Sequence, residues 1–180
     1  CMNVRPKEQV LVVTDDEKYA IGQALYQAAK VLGSEAMLMT MSPRAVSGQE
    51  PPAAVAAAMK AADVVLCPMS TSITHTRAKI EAAAAGARIA TMPGITKDMF
   101  TKGAMTADYR RVMEFTERVA ELLTKASTAR IEKQGRVMTL DLRGRPGVSS
   151  PGIYREKGQA GNLPSGEAYI APVETGANGS

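Results

Sequence analysis

The chain has 180 residues, of which 45% are hydrophobic and 22% are charged, so it can bury a core and does not have a disordered composition. Aromatic residues make up only 4% and tryptophan is absent, which leaves few flat side chains on which nucleic-acid bases could stack. The net charge of +4 comes from residues 130–157, and such a local surplus is more typical of a solvated face than of a nucleic-acid site.

No apolar run reaches membrane length, no signal peptide is recognisable, and the two cysteines do not form a CxxC motif. We therefore expect a soluble cytoplasmic protein with reduced thiols and no membrane or nucleic-acid partner.

Short apolar segments alternate with amphipathic ones in the first part of the chain. The pattern predicts strands at 9–13, 36–41, 64–67 and 88–91, and helices at 20–32, 53–62 and 75–85. This alternation is typical of a doubly wound, mostly parallel sheet with helices on both faces. We predict an α/β domain of this kind over residues 1–127, closed by a long amphipathic helix at 105–125.

The pattern changes after this helix. Residues 130–133 and 137–142 predict two antiparallel strands around a turn at Gln134 and Gly135. Residues 144–166 are rich in glycine and proline and show little periodicity, which is unusual for a simple connection. We predict that residues 128–180 are the opening β elements of a second domain.

The first strand-to-helix loop contains Asp15, Asp16 and Glu17, and these side chains would repel a phosphate group. Neither a GxGxxG nor a GxxxxGK[ST] motif is present, so the sequence argues against a nucleotide cofactor. Asp15 and Asp16 are predicted to cap the following helix, and contact with a substrate or metal is the alternative.

His75 is the only histidine, and it lies in the hydroxyl-rich segment STSITHTRAK after the third predicted strand. Ligands of open α/β sheets bind at the carboxyl ends of the strands, so His75 and Asp15 are candidate substrate-side residues. Efficient capping also explains the hydroxyl groups, and one histidine cannot form a zinc site.

The segment NLPSGEAYIAP places one carboxylate, Glu167, in an otherwise uncharged, strand-like run. A buried carboxylate needs a cation, a metal or a proton, so Glu167 is a candidate metal ligand. An edge strand on which Glu167 faces water explains the same pattern.

This segment, together with VRPKEQVLVVTDDEKYAIGQAL, EPPAAVAAAMKAADVV and STSITHTRAKIEAAAAGARIATMPGITKDMF, resembles the N-terminal half of the thermophilic metalloaminopeptidases of the aminopeptidase T and S type, in the leucyl aminopeptidase branch. The resemblance implies a metal-dependent hydrolase that releases N-terminal residues from peptides. It also implies a homodimer with two divalent metal ions, zinc or cobalt.

Glu167 matches the first metal ligand of that family. Asn162 and Pro164 would shape the turn that orients Glu167, and Gly166 would let the backbone approach the ion. The other ligands and the catalytic residues are expected beyond Ser180, so the resemblance implies an incomplete chain that is inactive alone.

Two alternatives remain. One is a non-catalytic binding or assembly module in which His75 and Asp15 line a small-ligand cleft. The other is an enzyme similar to the 2,5-dihydroxypyridine dioxygenases, a related class of similar architecture, in which one non-haem iron is held by histidine and carboxylate.

Overall fold

The computed structural model describes residues 1–179, which form two compact units. The first unit contains Cys1–Ala107 and Gly152–Ser165, and the second contains Asp108–Pro151 and the described residues from Gly166 onward. The predicted domain boundary at residues 127 and 128 falls inside the second unit. The chain thus returns to the first unit after it has formed part of the second.

The first unit is built on a parallel sheet, which within the described residues has five strands in the order β2-β1-β3-β4-β8. These strands are β1 (Gln9–Asp15), β2 (Glu35–Met41), β3 (Val64–Met69), β4 (Arg88–Pro93) and β8 (Ala160–Asn162). The helices of this unit are α1 (Tyr19–Val31), α2 (Ala53–Ala61), α3 (Arg77–Ala84) and the short α4 (Lys97–Thr101). The predicted α/β fold with a parallel sheet is confirmed.

Alternate side chains of the central strands point to opposite faces of the sheet, as the period of a strand requires. Leu11 and Val65 belong to a core cluster with Met59 of α2 and Ala82 of α3. On the other face, α1 packs against β1 and β2. Because both faces are covered, every residue of β3 is buried, which explains its unbroken apolar sequence.

The second unit contains α5 (Tyr109–Lys125) and the predicted hairpin, which is formed by β5 (Thr128–Lys133) and β6 (Arg136–Asp141). Gln134 and Gly135 both have positive φ angles, 53° and 77°, as a two-residue hairpin turn requires. The remaining strands are β7 (Val148–Ser150), which pairs with β9 (Glu167–Tyr169), and β10 (Ala177–Gly179), which pairs with β6.

Two predicted helix starts are wrong. Helix α3 begins at Arg77 instead of residue 75, because Thr76 is its N-cap and accepts a hydrogen bond from the Lys79 N–H. Helix α5 begins at Tyr109 instead of residue 105, because the Asp108 carboxylate accepts hydrogen bonds from the N–H groups of the first turn. In both cases a capping side chain further along the chain determines the start.

No helix within residues 1–179 is long and apolar enough to cross a membrane.

Candidate functional site at the carboxyl ends of the parallel strands

Asp15 is the last residue of β1, and its side chain is completely buried. One carboxylate oxygen accepts hydrogen bonds from the Ser70 N–H at 2.7 Å and from the Ser70 hydroxyl at 2.6 Å. The other oxygen accepts one from the Lys18 N–H at 3.1 Å. Three donors therefore compensate for the loss of water around this carboxylate.

Asp15 caps the 3-10 turn Asp16–Lys18, which precedes α1, as predicted. Asp16 is the first residue of that turn and not a cap, and α1 itself starts after Lys18 without a side-chain cap. Sequence reasoning missed its second role, which is to hold the loop after β3 through Ser70. The two residues are separated by 55 positions, and only the parallel pairing of β1 with β3 brings them together.

A second polar cluster lies at the carboxyl ends of β4 and β8. It is formed by the side chains of Thr74, Thr91 and Asn162. The Asn162 Oδ1 accepts hydrogen bonds from the Thr91 hydroxyl at 2.6 Å and from the Thr74 hydroxyl at 3.0 Å. The Thr74 and Thr91 hydroxyl oxygens are also 3.0 Å apart. This polar triangle ties the β3–α3 loop to the last two strands of the sheet.

Hydrogen bonds also hold the main chain at Asn162 in place. Thr91 and Asn162 are register partners in the parallel pairing of β4 with β8. The hydroxyl of the buried Tyr154 donates a hydrogen bond to the Asn162 carbonyl oxygen at 3.0 Å. Gly161 is required at its position, because a Cβ atom there would overlap the Tyr154 ring.

The β3–α3 loop, residues 70–76, carries the hydroxyl-rich segment. Ser72 is anchored by its N–H to the Ser47 hydroxyl and by its carbonyl oxygen to the Gly48 N–H. The Thr71 Oγ1 is buried and has no hydrogen-bond partner in the described part of the chain. Buried hydroxyl groups without a partner are rare in native proteins, so the Thr71 hydroxyl is an unusual feature of this loop.

His75 lies in the turn between Thr74 and the cap residue Thr76, and its side chain is exposed. His75 in the loop after β3 and Asp15 at the end of β1 both lie at carboxyl ends of parallel strands, and their predicted contact with a substrate stays a prediction. The imidazole is accessible because His75 is exposed, and it makes no hydrogen bond or ion pair to residues 1–179.

Glu167 begins β9 in the second unit, where it pairs in register with Ser150 and its side chain is exposed. Gly166 has a φ of 139°, and a Cβ atom there would lie 2.8 Å from Val112 Cγ1, so close packing on α5 requires glycine. The peptide bond between Leu163 and Pro164 is cis. The roles predicted for Asn162, Pro164, Gly166 and Glu167 at a metal site stay predictions.

The described residues do not form a metal centre by themselves. No group of three or more His, Cys, Asp or Glu side chains among residues 1–179 is close enough to hold an ion. Glu167 therefore has too few further donors of these types within this range to hold an ion.

Cys67 lies inside the first unit and is 1% exposed. Burial raises the pKa of its thiol to about 12, so the thiol stays protonated and unreactive at neutral pH. Burial also lowers the pKa of the nearby Lys79 ammonium group. As the sequence suggested, Cys67 acts as a small apolar residue of the core.

Comparisons with known proteins give one consistent result. The family model of the 2,5-dihydroxypyridine 5,6-dioxygenases, NicX, matches residues 1–180. The solved structure of 2,5-dihydroxypyridine dioxygenase from Pseudomonas putida KT2440 superposes with a TM-score of 0.75 at 20% sequence identity. That match covers 97% of this chain and 53% of the dioxygenase chain, so this chain spans about half the length of that protein. A search of curated proteins found no match.

These findings correct the predicted function. The assignments as aminopeptidase, metalloprotease and hydrolase are wrong, because the family model that covers the whole chain is that of the 2,5-dihydroxypyridine 5,6-dioxygenases. A metal ion remains compatible with this family, but the predicted pair of zinc or cobalt ions has no support. The alternative of a dioxygenase-like enzyme agrees with both comparisons.

Proposed function

Because the chain belongs to the 2,5-dihydroxypyridine 5,6-dioxygenase family, we propose that the natural full-length protein opens the ring of a dihydroxylated pyridine with molecular oxygen. The observation that carries this proposal is the family match over residues 1–180. The agreement in fold over 97% of the chain is consistent with it.

A single iron ion is the cofactor that we propose in place of a zinc or cobalt pair. Bound iron would supply the activation of molecular oxygen, which has no counterpart among ordinary side chains. Residues 1–179 offer no cluster of three ligands, so we assign no ligand set and no chemical step at the metal to the described residues.

We propose that the first unit contributes the substrate side of the site. A dihydroxypyridine carries hydroxyl groups and a ring nitrogen, which bind best to a few precisely placed hydrogen-bonding groups. The accessible imidazole of His75 can accept a proton from a substrate hydroxyl group or return one to the product. Asp15 would act as a positioning residue, because its oxygens are bonded to Ser70 and Lys18 and hold the loop that carries His75.

Oxygen uptake tests the proposed function directly. The full-length protein, loaded with Fe(II), is mixed with 2,5-dihydroxypyridine in an oxygen-electrode cell, and the same protein loaded with Zn(II) is the control. We expect substrate-dependent uptake with iron and none with zinc, together with loss of the aromatic absorption band. Absence of uptake with the iron-loaded protein would contradict the proposal.

A further inference from the structure

We infer that the side-chain amide nitrogen of Asn162 is a substrate-binding donor, which hydrogen-bonds to a ring-hydroxyl oxygen of the aromatic substrate. The inference rests on the proposed function and names one recognition contact within it. The sequence predicts only that Asn162 shapes its turn, whereas the hydrogen bonds of its side chain indicate a direct role.

The orientation of this amide is fixed by its oxygen. The Thr91 and Thr74 hydroxyls both bond to Oδ1, at 2.6 and 3.0 Å, so the oxygen is held against the protein. The amide plane then directs Nδ2 away from the two threonines. Because the Tyr154 hydroxyl also holds the Asn162 carbonyl oxygen, neither the main chain nor the side chain is free to turn.

The Asn162 side-chain nitrogen, Nδ2, carries two N–H donors and has no hydrogen-bond partner among the described residues. Nδ2 makes no hydrogen bond to any residue in the described range 1–179, and it is not among the buried polar atoms that lack a partner. An unpartnered nitrogen that is not among the buried unpartnered atoms is accessible to solvent, which agrees with the half-buried position of Asn162. A rigid donor that is held ready without a protein acceptor is the arrangement expected of a recognition group.

The position in the fold agrees with this role. Asn162 ends β8, at the carboxyl edge of the parallel sheet, where ligands of such sheets bind. The unpaired hydroxyl of Thr71 and the exposed imidazole of His75 belong to the β3–α3 loop, which Thr74 joins to Asn162. Several polar groups without protein partners thus share one edge of the first unit.

A ring-hydroxyl oxygen is the acceptor that fits. A hydroxyl oxygen accepts an N–H donor whether the substrate is neutral or has lost its proton, and the bond is stronger in the second case. An asparagine donor is neutral at every pH, so it binds this oxygen without adding a charge that would need compensation. The amide would therefore orient the ring.

The variant Asn162→Asp separates recognition from structure. An aspartate keeps one oxygen in the place where both threonine hydroxyls donate, so the polar triangle is preserved. Its second oxygen replaces the NH₂ group with an acceptor, which repels a substrate oxygen. Asn162→Ala instead removes the anchor and the donor together. Gln23→Glu, the same amide-to-acid change on the exposed side of α1, is the matched control.

The test measures the dissociation constant of 2,5-dihydroxypyridine for the full-length protein without oxygen, by calorimetric titration, together with KM, kcat and Tm in air. We expect Asn162→Asp and Asn162→Ala both to raise the dissociation constant and KM by about 10-fold or more, the loss typical of one hydrogen bond. The Tm of Asn162→Asp should stay at the wild-type value, and Gln23→Glu should bind normally.

The outcomes separate this inference from the proposed function. If wild type binds and opens the ring while Asn162→Asp binds equally well, Asn162 has only a structural role and the inference is overturned. If wild type neither binds nor opens a dihydroxypyridine, the proposed function itself is contradicted, and the contact proposed for Asn162 falls with it.

Discussion

At the scale of single residues, the accessible imidazole of His75 is the group on which a proton-transfer role depends. We predict that His75→Gln lowers kcat for ring opening by about 100-fold, because a positioned general acid or base contributes at least this much. The Tm should not change, since the exposed side chain makes no hydrogen bond or ion pair to residues 1–179. Steady-state kinetics and thermal unfolding provide both measurements. An unchanged kcat would remove His75 from the reaction.

The buried thiol of Cys67 gives a prediction about pH. Its pKa is about 12 in the folded protein and 9.0 in the absence of that burial, so between these values only the unfolded chain releases the proton. The stability that the protonated Cys67 thiol contributes to the folded state is fully present below pH 9. It is lost as the pH rises toward 12, because the unfolded chain releases this proton first. The free energy of unfolding should therefore fall by about 1.4 kcal/mol per pH unit in this window.

The variant Cys67→Ala isolates this contribution, because every other titrating group is common to both proteins. Urea unfolding at pH 9, 10 and 11 should show that the difference in unfolding free energy between wild type and Cys67→Ala shrinks as the pH rises. A difference that stays constant over this range would show that the thiol ionises equally in the folded and unfolded states.

The sequence predicted the capping role of one residue, Asp15, whose partner is close along the chain. The capping role of Asp15 depends on Lys18, three positions away. The bond from Ser70 to Asp15 depends on the pairing of β1 with β3, and no local pattern contains it. The same limit applies to Asn162, whose hydroxyl partners Thr74 and Thr91 are separated from it by 88 and 71 positions.

At the scale of secondary-structure elements, the start of α3 depends on a residue from outside the helix. The Glu50 carboxylate accepts hydrogen bonds from the Arg77 N–H at 2.6 Å and from the Ala78 N–H at 3.2 Å. Thr76 caps the Lys79 N–H, so the first turn of the helix has few free donors. A carboxylate at this end also interacts favourably with the helix dipole.

We predict that Glu50→Ala lowers the free energy of unfolding by about 1 kcal/mol, the usual cost of losing a cap. Hydrogen exchange of the Arg77 and Ala78 amides should become faster, while exchange in α5 should not change. Glu50→Gln keeps one acceptor and should lie between wild type and Glu50→Ala. Unchanged exchange at both amides would show that the Glu50 contact does not protect the helix start.

Regular elements with a clear period were predictable, and short strands were not. Strands β1 and β3 contain continuous apolar runs, and the β5–β6 hairpin has a two-residue turn. Strand β8, with the sequence AGN, is only three residues long and has no apolar pattern, yet it completes the parallel sheet. Its place depends on close packing of Gly161 against Tyr154, which propensity and periodicity do not encode.

At the scale of the whole molecule, the α/β architecture was predictable and the chemistry was not. The resemblance led to a peptidase, whereas the family model that matches the whole chain belongs to a dioxygenase. The physical reason is that a sheet with helices on both faces can support many reactions, and the reaction depends on the side chains of the site. Residues 1–179 contain no cluster of three metal-binding side chains by which the two chemistries could be distinguished.

The predictions of a homodimer and of a cytoplasmic location stay predictions at this scale. Within the second unit, arginines from the positively charged residues 130–157 pair with acidic neighbours: Arg143 with Asp141, and Arg145 with Glu174. The positive charge of this segment is therefore partly balanced within the unit itself.

The most direct test of the account is the source of the oxygen atoms in the product. Full-length protein loaded with Fe(II) is incubated with 2,5-dihydroxypyridine under ¹⁸O₂ in ordinary water, and the product is examined by mass spectrometry. We predict a ring-opened product in which both atoms of one oxygen molecule are incorporated. A product whose new oxygen comes from water, or an unopened ring beside hydrolysis of a leucyl anilide, would contradict the dioxygenase assignment.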